Sequence, residues 1–166
     1  MPKKDQGVVS DRYRVIPRTL IFITRGEEVL LIKGAANKRL WANLYNGIGG
    51  HIEKGEDVLN AAQRELKEET GLSCKGLRLC GNIMIDAGGE TGITIFVLGG
   101  EYAGGRLIES LEGKLEWVTI ERLDSVPLVE DLKILLPRAL LALKEHTPFF
   151  ARYYYDEEDR LVTVFE

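Results

Sequence analysis

Cysteine is scarce in this chain: Cys74 and Cys80 are its only two, too few and too oddly spaced for a disulfide framework or a zinc site. Long apolar runs are missing as well. No stretch approaches the length of a membrane-spanning helix, and the opening MPKKDQGVV has no apolar signal core. Positive charge is in short supply, with 22 Lys and Arg against 26 Asp and Glu and a net charge of −4. That balance excludes the broad basic surface that neutralises a nucleic-acid backbone. A small anionic ligand stays compatible, because a bound divalent cation reverses the local sign. The expectations are a reduced, cytoplasmic setting, no membrane and no nucleic-acid polymer as partner.

Glycine, in contrast, is plentiful. Many of the 18 glycines fall within residues 47–55, 88–92 and 99–105, a clustering that predicts tight turns and close backbone approaches in a strand-rich fold. With 45% hydrophobic residues, the 166-residue chain suits a single domain over 1–166, with a loose polar arm at 1–13. Two β-branched runs, 19–24 and 28–33, flank Arg25-Gly26-Glu27 as a hairpin. A loop is expected over 34–50, a helix over 57–70 closed by Gly71, and strands over 77–85, 91–98, 101–107 and 115–120. A second helix, 129–144, contains Pro137 as a kink or boundary. The tail, 147–166, is a hairpin turning at residues 156–159, placed either to cover a sheet edge or to build a homodimer contact. Strands with one helix on each side make an α+β layered fold.

The first helix carries an unusual charge pattern. At about 100° per residue, Glu65, Glu68 and Glu69 share an arc of about 100° beside the apolar stripe of Val58, Ala62 and Leu66. Glu65 and Glu69 are like charges at i, i+4, and all three acids lie toward the end where the helix dipole disfavours them. The total cost is about 1–2 kcal/mol, only partly offset by an Arg64–Glu68 pair. Neutralising Glu65 or Glu68 is therefore expected to leave metal-free stability equal or slightly higher. Bound Mg²⁺, a hard cation that takes carboxylate oxygens, would compensate the acids; a solvated acidic face is the alternative.

The flanking residues decide between these. The segment GHIEKGEDVLNAAQRELKEETGL, residues 50–72, resembles the box of the Nudix hydrolases. Gly50, Glu56, Arg64, Glu65, Leu66, Glu68, Glu69, Gly71 and Leu72 fill every fixed place. The resemblance implies an α/β/α sandwich with a mixed, curved sheet and a catalytic loop–helix element. It also implies an enzyme that cleaves a diphosphate bond using Mg²⁺, with Mn²⁺ as a substitute. The implied metal ligands are the Gly49 carbonyl, Glu65, Glu68 and Glu69, with Glu65 the assumed general base and Arg64 orienting the acids. A further acid often comes from outside the box; in ESLEGKLEW it is assigned to Glu112, with Glu109 and Glu116 as alternatives.

The substrate must be read elsewhere. The lead Tyr45-Asn46-Gly47-Ile48-Gly49-Gly50 is similar to that of Nudix 8-oxo-dGTP diphosphatases, in which the Asn contacts the base. Asn46 both donates and accepts, as a purine edge requires, although a tight loop also uses such a residue. Trp41 and Tyr45 either stack a base or pack. Glu130-Asp131 match the acid pair that reads the oxidised purine in that subfamily, with Glu in place of Asp and one extra residue before Pro137; acids at a helix N-terminus also simply complement the dipole. Lys33 either meets a phosphate or snorkels to the surface, and His51 faces phosphate or solvent. The leading reaction is hydrolysis of a nucleoside triphosphate, an oxidised purine dNTP in particular, to monophosphate and pyrophosphate. The alternatives are ADP-ribose or a dinucleoside polyphosphate as substrate, or a non-catalytic nucleotide sensor.

Overall fold

The computed structural model describes residues 2, 5–8, 11–37 and 40–166. Its centre is one mixed sheet of eight strands: β1 (Arg14–Arg25), β2 (Glu28–Gly34), β3 (Tyr45–Asn46), β4 (Leu72–Asp86), β5 (Thr91–Gly105), β6 (Gly113–Thr119), β7 (Phe149–Tyr155) and β8 (Leu161–Phe165). The order is β3-β2-β1-β5-β4-β7-β8, with β6 also on β2. β1 runs parallel to β5 and β4 parallel to β7, and the other pairings are antiparallel.

Helix α1 (Val58–Thr70) lies on one face and α2 (Leu132–Glu145) belongs to the core on the other. Strand alternation divides the apolar residues between them. Ile21, Ile23, Leu30, Ile32 and Leu98 meet Ala62 and Leu66 of α1. Phe22, Val29, Leu31 and Val97 share a cluster with Leu132, Leu135, Leu136 and Ala139 of α2. Each such fully buried leucine contributes about 1.5–3 kcal/mol through the area it removes from water.

Local chemistry sets the ends of α1. Asp57 caps it by accepting from the Asn60 N–H at 2.8 Å, and Gly71 ends it in the left-handed region at φ 73°. The chain enters β4 at the next residue, earlier than the strand expected from residue 77. In α2, Pro137 is interior and exposed, and it gives up the backbone bond that its position would otherwise make to the Lys133 carbonyl.

Two further sequence expectations change. The strands anticipated over 91–98 and 101–107 are one strand, β5. Gly99 does not break it: a Cβ there would lie 2.9 Å from Cys80 Sγ and 3.0 Å from Leu143 Cδ2, so this glycine serves close packing of α2. The 34–50 loop contains β3, paired to β2, and bridges to β1 at Ile48. The arm expected over 1–13 falls partly outside the described residues, and its last member, Tyr13, donates to the Ile85 carbonyl at 3.4 Å. The terminal hairpin turns where expected, and β7 extends the sheet along β4, covering that edge. No helix among the described residues is long and apolar enough to cross a membrane.

Candidate active site

The glycine segment after β3 lies against β1. Thr19 N–H donates to Gly50 O at 2.9 Å, Ile21 N–H to Ile48 O at 2.6 Å, and Ile52 N–H to Pro17 O at 3.1 Å. A side chain at Gly49 (φ 155°) would overlap the Thr19 carbonyl, so only glycine permits this approach. At Gly50 the neighbour is a carboxylate of the box: a Cβ would sit 2.5 Å from Glu65 Oε1 and 2.8 Å from Oε2. The missing side chain is the space that the Glu65 carboxylate fills.

Arg64 organises the acids. Its Nε donates to Glu56 Oε1 at 2.6 Å and its Nη2 to Glu56 Oε2 at 2.9 Å, a bidentate fork. Nη1 reaches Glu65 Oε1 at 2.8 Å and Glu68 Oε2 at 3.2 Å, and Nη2 also meets the His51 carbonyl at 3.1 Å. The Arg64 side chain is 28% exposed, Glu65 13% and Glu68 61%, so the acids grade from the core boundary out to solvent. The Arg64 fork, with the Glu53 N–H on Oε2, holds Glu56 down to a pKa of about 2. The same carboxylates, Glu56 first and then Glu65, raise that of Arg64.

Sequence spacing gave Arg64 one partner, Glu68; the structure adds Glu56, Glu65 and the His51 carbonyl. The signal for Glu56 was its fixed place in the box, but no helical periodicity links it to Arg64, because it reaches back from the loop. Among the described residues, no three of His, Cys, Asp and Glu are gathered as a coordination cluster. Glu65 and Glu68 both turn to Nη1 of Arg64. The residues nonetheless fit a hard divalent ion: a carboxylate cradle against glycine backbone, with oxygen donors alone.

Glu112 lies on the turn into β6, its N–H on Ser110 Oγ at 3.1 Å and its carbonyl accepting from Ala35 N–H at 3.4 Å. Of the alternatives, Glu116 is engaged elsewhere, accepting from Tyr45 Oη at 2.7 Å and pairing with Lys114 at 2.8 Å; these two contacts, Lys114 first, lower its pKa. Glu109 borders an open cleft of about 610 Å³ that also touches Lys33 and Lys114.

Backbone pairing at Tyr45 joins the segments that carry the five substrate candidates. Lys33 pairs with Tyr45 across β2 and β3, its Nζ 5.5 Å from the ring centroid. Tyr45 N–H donates to Pro127 O at 2.8 Å and Val129 N–H to Tyr45 O at 3.0 Å, stitching β3 to the segment before α2. Asn46 and Glu130 thus each adjoin a bonded pair, and Asp131 follows at the start of α2. The Tyr45 ring is 6% exposed within the α2-side core, so it offers no open stacking face, whereas Trp41 is 50% exposed. Asn46 Oδ1 accepts from the Gly47 N–H at 2.8 Å, the tight-loop use of this residue. Asp131 makes no side-chain capping bond, and burial, with Glu130 adding, raises its carboxyl above the usual range.

A glycine-bounded loop and a helix whose carboxylates are clamped by one arginine define a Nudix centre, and the NUDIX domain model matches residues 15–139; the chain belongs to this family and is a Nudix hydrolase. It is similar to the mouse oxidized purine nucleoside triphosphate hydrolase, 26% identical over 87% of this chain and 90% of that protein. The zebrafish protein of the same name is 33% identical over 63% of this chain and 67% of its own. The NAD-capped RNA hydrolase NudC of Pseudomonas syringae pv. tomato is 26% identical over 81% of this chain and 47% of its own. In fold, the MutT protein of Bacillus halodurans superposes with a TM-score of 0.74 at 23% identity, over 91% of this chain and 97% of the other.

Proposed function

We propose that this Nudix hydrolase converts a nucleoside triphosphate, an oxidised purine dNTP in particular, to the monophosphate and pyrophosphate with Mg²⁺. The observation that carries the chemistry is the Arg64 clamp on Glu56, Glu65 and Glu68 beside Gly50. The cation would be held by the Gly49 carbonyl and the carboxylates of Glu65, Glu68, Glu69 and Glu112, with Mn²⁺ able to replace it. When bound, it neutralises the diphosphate and acidifies the attacking water. Arg64 occupies Oε1 of Glu65, so Oε2 is the oxygen left to take a proton from that water. The clamp fixes the acids before substrate arrives, which is the preorganisation that in-line attack on phosphorus requires.

Support for the purine comes from the names of the mouse and zebrafish relatives and from the backbone bonds of Tyr45, which join the strand of Tyr45 and Asn46 to the segment leading into Glu130 and Asp131. In this reading Asn46 and Asp131 bond the base edge, Lys33 meets phosphate, and Tyr45 sets the frame. The reaction is placed in the cytoplasm. A pyrophosphate-release screen over nucleoside triphosphates, ADP-ribose, dinucleoside polyphosphates and NAD-capped RNA tests it. Preference for 8-oxo-dGTP over dGTP is the expected result. Equal rates on both would overturn the purine assignment, and binding without turnover would make the chain a sensor.

A further inference from the structure

Arg18 on β1 carries a charge that the chain leaves uncompensated. Its Nε is buried without a hydrogen-bond partner, and among the described residues no ion pair reaches its guanidinium. A buried donor left unpaired is costly and rare, and a guanidinium cannot shed its proton to escape the cost. Methionine would fill the same space without it. The position therefore suits an acceptor that arrives from outside the chain.

The glycine segment locates that acceptor. Residues 48–52 run antiparallel along β1 in one register: Ile21 N–H bonds Ile48 O at 2.6 Å, Thr19 N–H bonds Gly50 O at 2.9 Å, and Ile52 N–H bonds Pro17 O at 3.1 Å, with Arg18 bridged to His51. Opposed residues of such a ladder share a face, and successive ones alternate. Ile21 and Ile48 lie in the α1-side cluster, and the place of a Gly50 side chain is filled by the Glu65 carboxylate. Arg18 and His51 thus face the other way, with Leu20 and Phe22 of the α2-side cluster. They sit between bonded pairs, a placement that brings opposed Cα atoms to about 4.5 Å. His51 is exposed, and its ring has no hydrogen bond among the described residues.

On the same face, Gly47 lies against the next side chain along β1: a Cβ there would be 2.8 Å from Leu20 Cδ1 and 2.7 Å from Phe22 Cε1. Arg18 and His51 are therefore flanked by Asn46-Gly47 on one side and by Gly49-Gly50, with Glu65 behind, on the other. A nucleotide with its base at Asn46 and its cleaved diphosphate at Gly49 and Glu65 carries the phosphate between them past this pair.

We infer that Arg18 and His51 form a subsite for the phosphate that stays on the nucleoside, Arg18 donating through Nε to a non-bridging oxygen. This rests on the nucleotide reading given above. The test is calorimetric binding, without metal, of 8-oxo-dGMP and of 8-oxo-deoxyguanosine, which lacks the phosphate. Wild type should bind the monophosphate about tenfold more tightly than the nucleoside. Arg18→Met should weaken the monophosphate about tenfold and leave the nucleoside unchanged, with a Tm equal or higher because an unpaired buried donor is gone. His51→Gln, at an exposed position, should weaken the monophosphate alone by a few-fold, and it carries the comparison if R18M does not fold. Equal losses on both ligands would set Arg18 against the base and overturn the phosphate subsite. Equal affinity of wild type for the two ligands, or wild-type binding by R18M, overturns it as well. If the turnover screen shows no preference for oxidised purines, that reading falls, while the same comparison with dGMP and deoxyguanosine still decides the subsite.

Discussion

Replacing Gly50 by alanine isolates the contact between the glycine segment and the proposed general base, Glu65 on α1. The added Cβ would lie 2.5 Å from Glu65 Oε1 and 2.6 Å from its Cδ, where ordinary contact begins near 3.4 Å. The carboxylate must therefore retreat by about 0.9 Å, the difference between 3.4 and 2.5. A displacement of about 1 Å at a reacting group costs about 100-fold in rate. Folding should hardly suffer. Gly50 is not among the positive-φ residues, and alanine at a compatible position gains about 0.4–1 kcal/mol by restricting the unfolded chain. Gly55→Ala is the counter-experiment. Gly55 has φ 97° with nothing within 4 Å, so alanine strains the backbone by about 1–3 kcal/mol without touching Glu65. Pyrophosphate release and thermal melting on both variants separate the effects. G50A should lose about 100-fold in kcat with a nearly unchanged Tm, and G55A should lose several degrees with kcat within a few-fold. A G50A enzyme turning over at the wild-type rate would refute the claim that this glycine exists to admit Glu65.

Glu56 predicts an acid-stability window. Its pKa falls from 4.5 in the unfolded chain to about 2 in the folded one, so its contribution is present above pH 4.5 and lost as pH falls toward 2. Melting curves over that range should show a smaller pH dependence in Glu56→Gln than in wild type. Glu65→Gln and Glu68→Gln should each slow turnover by about 100- to 10,000-fold. Their metal-free Tm should fall slightly, because each substitution takes a charged partner from Arg64; this reverses the expectation from like-charge repulsion alone. Tyr45→Phe should cost about 1.5–3 kcal/mol in denaturant unfolding, the worth of a hydrogen bond from a buried hydroxyl to a carboxylate, with Glu116 kept in place by Lys114.

The sequence made the layered fold and the chemistry of the box legible because both are written in local periods. Alternation along β1 and β2 separates the two cores, and the helical spacing of Ala62 and Leu66 beside Glu65 and Glu69 describes α1 as it stands. Two kinds of feature were not legible. One is glycine used for proximity. Gly99 reads as a strand break, yet it seats Leu143 against an unbroken β5, because a missing Cβ looks the same in sequence whether it serves a turn or a close approach. The other is the partner that returns from afar. Helical geometry shows Glu68 to Arg64, but Glu56 is eight residues away across a loop, and Glu116 is 71 residues from Tyr45. Tyr45 shows what that distance hides. Beside a glycine segment it reads as well as a stacking face as it does a packing residue, until the carboxylate on β6 engages its hydroxyl and the core closes over its ring. Long-range polar pairing thus turns a plausible ligand contact into part of the frame, whereas Trp41 stays half exposed.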